Sequence, residues 1–298
     1  MKVWYWTAGI LLFLFAAMLA ESIREQKRFR VTEYGIVSKK LNGLNREWKI
    51  VFLSDLHNHV YGEHNAELTA AIAKETPDLI LLTGDMLVGK PGKPWKETCA
   101  FVADLRKFCP VYYANGNHEQ RMKEHPEKYG KVFELYKERL ENSGITFLEN
   151  TSEKLWLGQC PVCISGLEIP ERFYRKFRKM KMTVKDVEKS LGKADRQSYQ
   201  ILLGHNPTYC KTYAAWGADL ILSGHLHGGI VRLPGIGGVI DPEAGLFPRH
   251  SGEMKAERNA QVVVSKGLGT HTVNLRLFNP AELVVLHLKP CENTENPI

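Results

Sequence analysis

Lys49-Ile50-Val51-Phe52-Leu53-Ser54-Asp55-Leu56-His57 is the stretch on which the reading of this chain turns. Its apolar run is too short for a helix and is apolar on both flanks, as a strand buried inside an α/β sheet would be. The run stops at Ser54, and the residues that follow offer a carboxylate and an imidazole. The same pattern recurs down the chain. Leu79 to Leu82 ends in Thr83-Gly84-Asp85, and Val111 to Ala114 ends in Asn115-Gly116-Asn117-His118-Glu119. Gln200 to Leu203 ends in Gly204-His205-Asn206-Pro207, and Asp219 to Leu222 ends in Ser223-Gly224-His225-Leu226-His227-Gly228-Gly229. One Gly-Asp or Gly-His after a strand is ordinarily a turn with a capping side chain. Five such endings in one chain call for a common cause.

Between these strands, Ala66 to Lys74, Trp95 to Phe108 and Lys131 to Asn142 predict helices, the last closed by Gly144. In an open α/β sheet, ligands bind in the crevice beyond the carboxyl ends of the strands, so all five clusters converge on one place. Gln261 to Val264 and Glu282 to Leu288 predict further strands. The fold class is therefore α/β, a two-layered sheet sandwich flanked by helices, with a transmembrane helix expected at the amino terminus. Residues 1–30 form an anchor and juxtamembrane segment, 31–290 a catalytic domain and 291–298 a tail.

Composition agrees with a packed core. The 298 residues are 44% hydrophobic and 10% aromatic with a net charge of +7, which excludes disorder, collagen-like repeats and coiled coil. Six cysteines are too few and too irregular for a disulfide-built scaffold. Cys160-Pro161-Val162-Cys163 has redox or zinc spacing but no second pair, so two buried strand cysteines are expected there.

Carboxylate and carboxamide oxygens mixed with imidazole nitrogens suit manganese, iron or zinc, whereas an all-oxygen set would suit magnesium or calcium. More than four such ligands exceed one tetrahedral zinc site. Two ions about 3.5 to 4 Å apart, sharing a carboxylate, would use them all; such a pair generates hydroxide at neutral pH and clamps an in-line displacement at phosphorus.

In order, Asp55-Leu56-His57, Gly84-Asp85, Gly116-Asn117-His118-Glu119, Gly204-His205 and Gly224-His225-Leu226-His227 resemble the motifs of the calcineurin-like metallophosphoesterases. The resemblance runs from roughly Val31 to Leu288. It implies that Asp55, His57 and His227 hold one metal, that Asn117, His205 and His225 hold the other, and that Asp85 bridges them, with manganese the leading candidate. It also implies that His118 is no ligand but stands over the scissile phosphate, as general acid or charge stabiliser, with Glu119 orienting it from behind. The amino-terminal segment, Ser54-Asp55-Leu56-His57 and the Gly224 to Pro234 stretch resemble the membrane-associated phosphodiesterase branch. That branch includes enzymes that cleave the pyrophosphate of UDP-2,3-diacylglucosamine. Leu226 and Ile230 depart from the Thr and Gln common there; neither is a metal ligand, so the departures bear on substrate fit.

Val3 to Ala20 carries no charge and, as a helix, is roughly 27 Å long, close to the thickness of a hydrocarbon core. Trp4, Tyr5 and Trp6 sit at one end, as in an aromatic belt. Met18-Leu19-Ala20 does not meet the small-residue rule for signal cleavage, which favours a retained anchor. Arg24, Lys27, Arg28 and Arg30 follow the segment and only Lys2 and the amino terminus precede it, so the catalytic domain is expected on the cytoplasmic side.

Residues 171–193 hold nine Lys/Arg against three acids, with Phe173, Tyr174, Phe177 and Met180 among them. Two readings stand level: a surface for anionic headgroups or a lipid substrate, and a solvated helix face covering the sheet. Nucleic acid is a third reading, disfavoured by the membrane segment. His59 and His64 read as loop histidines, and His125, His250, His271 and His287 carry no motif. The Gly-rich loop Pro234 to Pro248 is either a pocket wall or plain surface. The function expected is hydrolysis of a phosphodiester or pyrophosphate, with a general phosphatase or nucleotide phosphodiesterase as the alternative. A non-catalytic membrane-surface scaffold is the rival of another class; it predicts eroded ligands, and none is missing.

Overall fold

Successive side chains of the Trp48–Leu53 strand leave opposite faces of a sheet, and both faces are buried. Ile50 and Phe52 join one apolar cluster, while Val51 and Leu53 join another. A sheet covered on both sides follows directly from that uninterrupted run. The computed structural model describes residues 2–175, 180–229, 232–233, 237–240, 245–270 and 275–291.

In chain order the strands are β1 (Phe29–Ser38), β2 (Trp48–Leu53), β3 (Leu79–Leu82), β4 (Val111–Tyr113), β5 (Thr146–Phe147), β6 (Thr151–Leu157), β7 (Cys160–Gly166), β8 (Tyr199–Leu203), β9 (Leu220–Ser223), β10 (Arg232–Leu233), β11 (Gly237–Gly238), β12 (Met254–Glu257), β13 (Ala260–Val264) and β14 (Ala281–Pro290). The helices are α1 (Lys2–Gln26), α2 (Ala66–Glu75), α3 (Lys96–Asp104), α4 (Asn117–Glu124), α5 (Pro126–Tyr129), α6 (Val132–Asn142), α7 (Val184–Leu191) and α8 (Cys210–Trp216).

Two six-stranded sheets face each other, ordered β1-β14-β2-β3-β4-β5 and β12-β13-β9-β8-β7-β6. The run β2-β3-β4-β5 is parallel, and so is β13-β9-β8-β7. Ile50, Phe52, Leu81 and Leu286 of the first sheet meet Ile164, Ile201, Leu203 and Leu222 of the second in one buried cluster. On the outer face of the first sheet, Val51, Ile80 and Val111 pack under Ile72, Val102 and Tyr136 of the helices. Outside the second, Leu202, Ile221 and Val262 pack under Val187, Tyr213 and Trp216. At about 25 cal/mol per Å² of apolar surface, these three clusters carry most of the driving force for folding.

The helices expected at Ala66, Trp95 and Lys131 form within two residues of their predicted starts, although the second ends at Asp104 and continues as a 3₁₀ turn, Leu105–Lys107. The pairing of β1 with β14 starts at Phe29, two residues before the boundary expected at residue 31. Cys160 and Cys163 are buried free thiols on β7, as anticipated. Within the basic segment Phe173, Met182 and Val187 are buried in the outer cluster of the second sheet, so much of it is a covering layer. Lys176 to Lys179 (residues 176–179, including Phe177), Ile230, His271 and the tail from 292 lie outside the described residues.

Because β2, β3 and β4 of one sheet and β8 and β9 of the other run parallel within their sheets, their carboxyl ends gather at one rim of the sandwich. The loops there pack backbone on backbone. Gly84 has φ +84°, and a Cβ on it would stand 1.8 Å from Gly116 N, so no side chain fits.

Candidate metal centre

At that rim Asp55, His57, Asp85, Asn117, His118, Glu119, His205, His225 and His227 are all buried. The side chains singled out from the five strand-end motifs lie together there. Asp55, His57, Asp85, His225 and His227 have positive φ, between 47° and 68°. Left-handed backbone at non-glycine residues costs of order 1 kcal/mol or more each and persists where the surroundings over-determine it. The loops are bent to aim side chains inward.

Three groups offer ligand atoms within 4.8 Å of one another: Asp55, His57 and His227; His57, Asp85 and His118; and Asp85, His205 and His225. The first and third groups contain the residues that the motif resemblance assigns to separate ions. Asp85 Oδ2 stands between them, 3.6 Å from His57 Nε2 and 3.3 Å from His205 Nε2. Asp55 Oδ1 lies 3.2 Å from His227 Nε2.

The donor set fits divalent cations on two further observations. Asn117 Oδ1 is buried without a hydrogen-bond partner among the described residues, an arrangement that costs free energy unless something else binds it, and Asp85 Oδ2 is approached by the imidazoles of His57, His118 and His205 at 3.3 to 3.9 Å. Backbone carbonyls also fix two tautomers: His205 Nδ1 faces Thr83 O at 2.7 Å, and His227 Nδ1 faces Gly269 O at 3.1 Å. A carbonyl can only accept, so each Nδ1 carries a hydrogen, and in the neutral ring each Nε2 presents a lone pair to the cluster.

The electrostatics call for positive charge. Burial opposes ionisation of Asp55, but His227 and His205 outweigh it and hold the carboxyl below the usual carboxylate range. Asp85 is likewise held well below that range, burial again being outweighed, by His205 and His118. His205 is lifted to about 9, because Asp85 and Asp55 more than reverse the effect of burial.

His118 stands apart. Its Nδ1 accepts from Gly89 N–H at 2.7 Å, so the neutral ring carries its hydrogen on Nε2, which lies 3.9 Å from Asp85 Oδ2. Burial pulls its pKa below the ordinary imidazole value, partly offset by Asp85.

Gly89 N–H holds the His118 ring through Nδ1, and Glu119, on the same helix, reaches backbone groups around it. The Glu119 carboxylate accepts from Asp85 N (2.7 Å), Leu87 N (3.1 Å), Gly116 N (3.1 Å) and Tyr113 Oη (3.1 Å). It therefore clamps the Asp85 loop to the Asn117 loop. Burial and the neighbouring Asp85 raise it to about 7.

Several other participants leave no mark in the order of side chains. Gly89, Thr83 and Gly269 act through backbone groups, which no side-chain pattern can announce. Asn279 donates to His227 O and Gly229 O, both at 2.6 Å, and the Tyr174 ring meets the His225 ring edge-on with centroids 5.0 Å apart. Tyr174 brings the start of the basic segment over the cluster. The histidines outside the motifs have other attachments: His64 pairs with Glu97, His125 with Glu127 and Glu171, His250 with Glu257, and His287 with Glu33 and Glu47.

A rim of buried carboxylates and tautomer-fixed imidazoles, built at the strand ends of a double sheet, defines a metal-dependent hydrolase. Residues 49–229 match the family model described as calcineurin-like phosphoesterase, and the chain belongs to that family, whose enzymes hydrolyse phosphoesters. YpbG of Bacillus subtilis is 25% identical over 97% of this chain and 98% of its own length. A metallophosphoesterase of Aquifex aeolicus is 27% identical over 93% and 98%. Cj0846, a metallophosphoesterase of Campylobacter jejuni, is 26% identical over 87% of this chain, which spans 64% of that longer protein. Among solved structures, the phosphopantetheinyl hydrolase of Mycobacterium tuberculosis has a TM-score of 0.45 at 14% identity, covering 73% of this chain and 88% of its own.

Proposed function

We propose that this protein is a membrane-anchored phosphoesterase that binds two divalent cations, manganese before iron or zinc, and hydrolyses a phosphodiester or pyrophosphate carried at the membrane surface. The observation that carries the reading is the pairing of Asp55, His57 and His227 with Asp85, His205 and His225 about the shared Asp85 carboxylate, with Asn117 beside them. Bound there, two cations would activate water for attack at phosphorus and neutralise the charge that develops.

The chain's own residues do the rest. His118 is the catalytic residue: its neutral ring offers Nε2–H as a hydrogen bond to the leaving oxygen and stabilises the charge developing there, since burial and the Gly89 N–H both disfavour the imidazolium. Glu119 keeps the Asp85 and Asn117 loops in register. Tyr174, at the edge of the cluster, is suited to exclude water from one side.

The membrane element rests on α1. Trp4–Gln26 is long and apolar enough to cross a bilayer, its apolar side chains from Trp4 to Leu19 are exposed, and a signal sequence meets the same test. Because α1 ends against the catalytic domain, a lipid-linked substrate such as UDP-2,3-diacylglucosamine would meet the cluster near the headgroups. By the excess of Lys and Arg after α1 we assign the domain to the cytoplasmic face.

The test is Mn²⁺-dependent hydrolysis by the full chain in phospholipid vesicles, offered a lipid-linked pyrophosphate and a soluble chromogenic phosphodiester, with bound metal counted per chain. Two ions and a strong preference for the lipid-linked substrate are expected. Equal turnover of both would favour a general phosphodiesterase that happens to be tethered.

A further inference from the structure

The amino-terminal helix does not merely precede the catalytic domain. Its last turn is built into it: Ser22 is 2% exposed and Glu25 6%, on a helix whose earlier turns are bare. Ser22 Oγ accepts from the backbone N–H of Arg276 at 3.1 Å, and Glu25 Oε2 accepts from the backbone N–H of Asn279 at 2.9 Å.

Both acceptors lead to His227, from opposite sides. Beyond Glu25, the Asn279 side chain donates to the His227 and Gly229 carbonyls, fixing the backbone that holds the ring. Beyond Ser22, the wholly buried Arg276 guanidinium donates to Lys266 O (2.9 Å), Gly267 O (3.0 Å), Gly269 O (2.6 Å) and Asn279 O (3.1 Å). Gly269 O is the same carbonyl that faces His227 Nδ1. Nη2 shares its two hydrogens among three of these carbonyls and Nη1 serves the fourth, so the guanidinium cannot shift without loosening several charge-assisted bonds at once. A carboxylate at the end of a membrane segment would ordinarily turn to water; this one is spent on a backbone amide.

We propose that Glu25 and Ser22 are positioning residues for His227, so that the last turn of the membrane segment forms part of the outer support of the metal centre. Groups that orient ligands from behind typically alter metal affinity or activity by 10- to 100-fold. Anchor and metal centre are then one unit, and the state of the helix bears on how well the site holds its ions. The proposal rests on the reading of His227 as a metal ligand.

The experiment compares Mn²⁺ binding by the full chain in detergent micelles, measured by titration calorimetry and by the spin-resonance spectrum of bound Mn²⁺, for the parent, Glu25→Ala, Glu25→Gln and Ser22→Ala. Glu25→Ala should weaken one of the bound ions about tenfold or more and change its spectrum. Glu25→Gln, whose side-chain oxygen still accepts from Asn279, should stay within about twofold of the parent. Ser22→Ala should shift affinity in the same direction as Glu25→Ala, and it serves in its place should that variant not fold. Unchanged Mn²⁺ affinity in Glu25→Ala and Ser22→Ala, even with a lower Tm, overturns the proposal by reducing both residues to docking contacts. A parent that binds no Mn²⁺ overturns the proposal together with the metal reading, an outcome distinct from a parent that binds and variants that match it.

Discussion

His57 Nε2 and His227 Nε2 face each other 3.1 Å apart, across rings inclined by 20° and stacked at 4.9 Å, with both side chains buried. Since His227 carries its hydrogen on the nitrogen turned to Gly269, its Nε2 brings a lone pair to this contact. Burial also drives His57 well below the ordinary imidazole pKa, so the ring is neutral and its single hydrogen, when on Nε2, bridges the two nitrogens. Asp55, His57 and His227 also form one of the groups whose ligand atoms lie close enough to hold a cation, which would take the place of that hydrogen.

The full chain should therefore be stabilised by Mn²⁺ and destabilised by a chelator. At a free ion concentration 100 times Kd, one bound ion adds about 2.7 kcal/mol, a rise of several degrees in Tm for a protein of this size. Asp85→Asn should lose metal and about a thousandfold or more in turnover, since a neutral amide bridges two cations poorly. A thermal scan with and without EDTA, beside metal counting on Asp85→Asn, checks both; retention of two ions by Asp85→Asn would remove Asp85 from its bridging role.

How much of this was legible beforehand depends on the kind of signal. Runs such as Lys49 to Leu53 announce buried strands because both faces are covered, and the side chains at their ends announce the site. By contrast β6, Thr151–Leu157, is an exposed edge strand whose polar residues break the apolar pattern, and β1 shows its identity only by pairing with β14 from far along the chain. The cluster of buried Asp and His side chains was readable because its chemistry lies in side chains. Its supports at Gly89, Thr83 and Gly269 are backbone atoms, and Glu25 looked like one more juxtamembrane charge until its partner Asn279 arrived from 254 residues away.

His118→Asn separates catalysis from metal binding. If His118 Nε2–H serves the leaving oxygen, the variant should keep both ions and lose about 10²- to 10⁴-fold in turnover. The loss should shrink for substrates whose leaving group needs no proton, such as a nitrophenolate. Steady-state kinetics on an alkyl and a nitrophenyl diester check this, and an equal loss on both would assign His118 to charge stabilisation instead.

Gly84→Ala tests the junction between the Asp85 and Asn117 loops. The substitution must place a Cβ 1.8 Å from Gly116 N at a φ of +84°, so the two loops have to part. The same parting would break the Glu119 clamp, which joins Asp85 N to Gly116 N. A loss of about 3 kcal/mol or more is expected, with metal retention falling alongside. Denaturant unfolding checks the first and metal counting the second; a variant as stable as the parent would mean that the loops tolerate separation.

The pH dependence of metal binding follows from His205. Asp85 and Asp55 lift it from 6.5 to about 9 against the effect of burial, so the metal-free chain holds a proton there at neutral pH. The sign is fixed by the raised value. In the metal-free chain, the stabilisation due to this group is fully present below pH 6.5 and is lost as pH rises through about 9. A cation competes with that proton for Nε2, so Mn²⁺ affinity should climb through the same window, by at most about tenfold per pH unit for one proton displaced. Calorimetry in buffers of differing ionisation enthalpy should register release of a proton at pH 7 and much less at pH 9.5. His205→Ala should bind weakly and without that release. An affinity in the parent that stays flat from pH 6.5 to 9 would mean that His205 is already neutral and that other groups balance the two carboxylates.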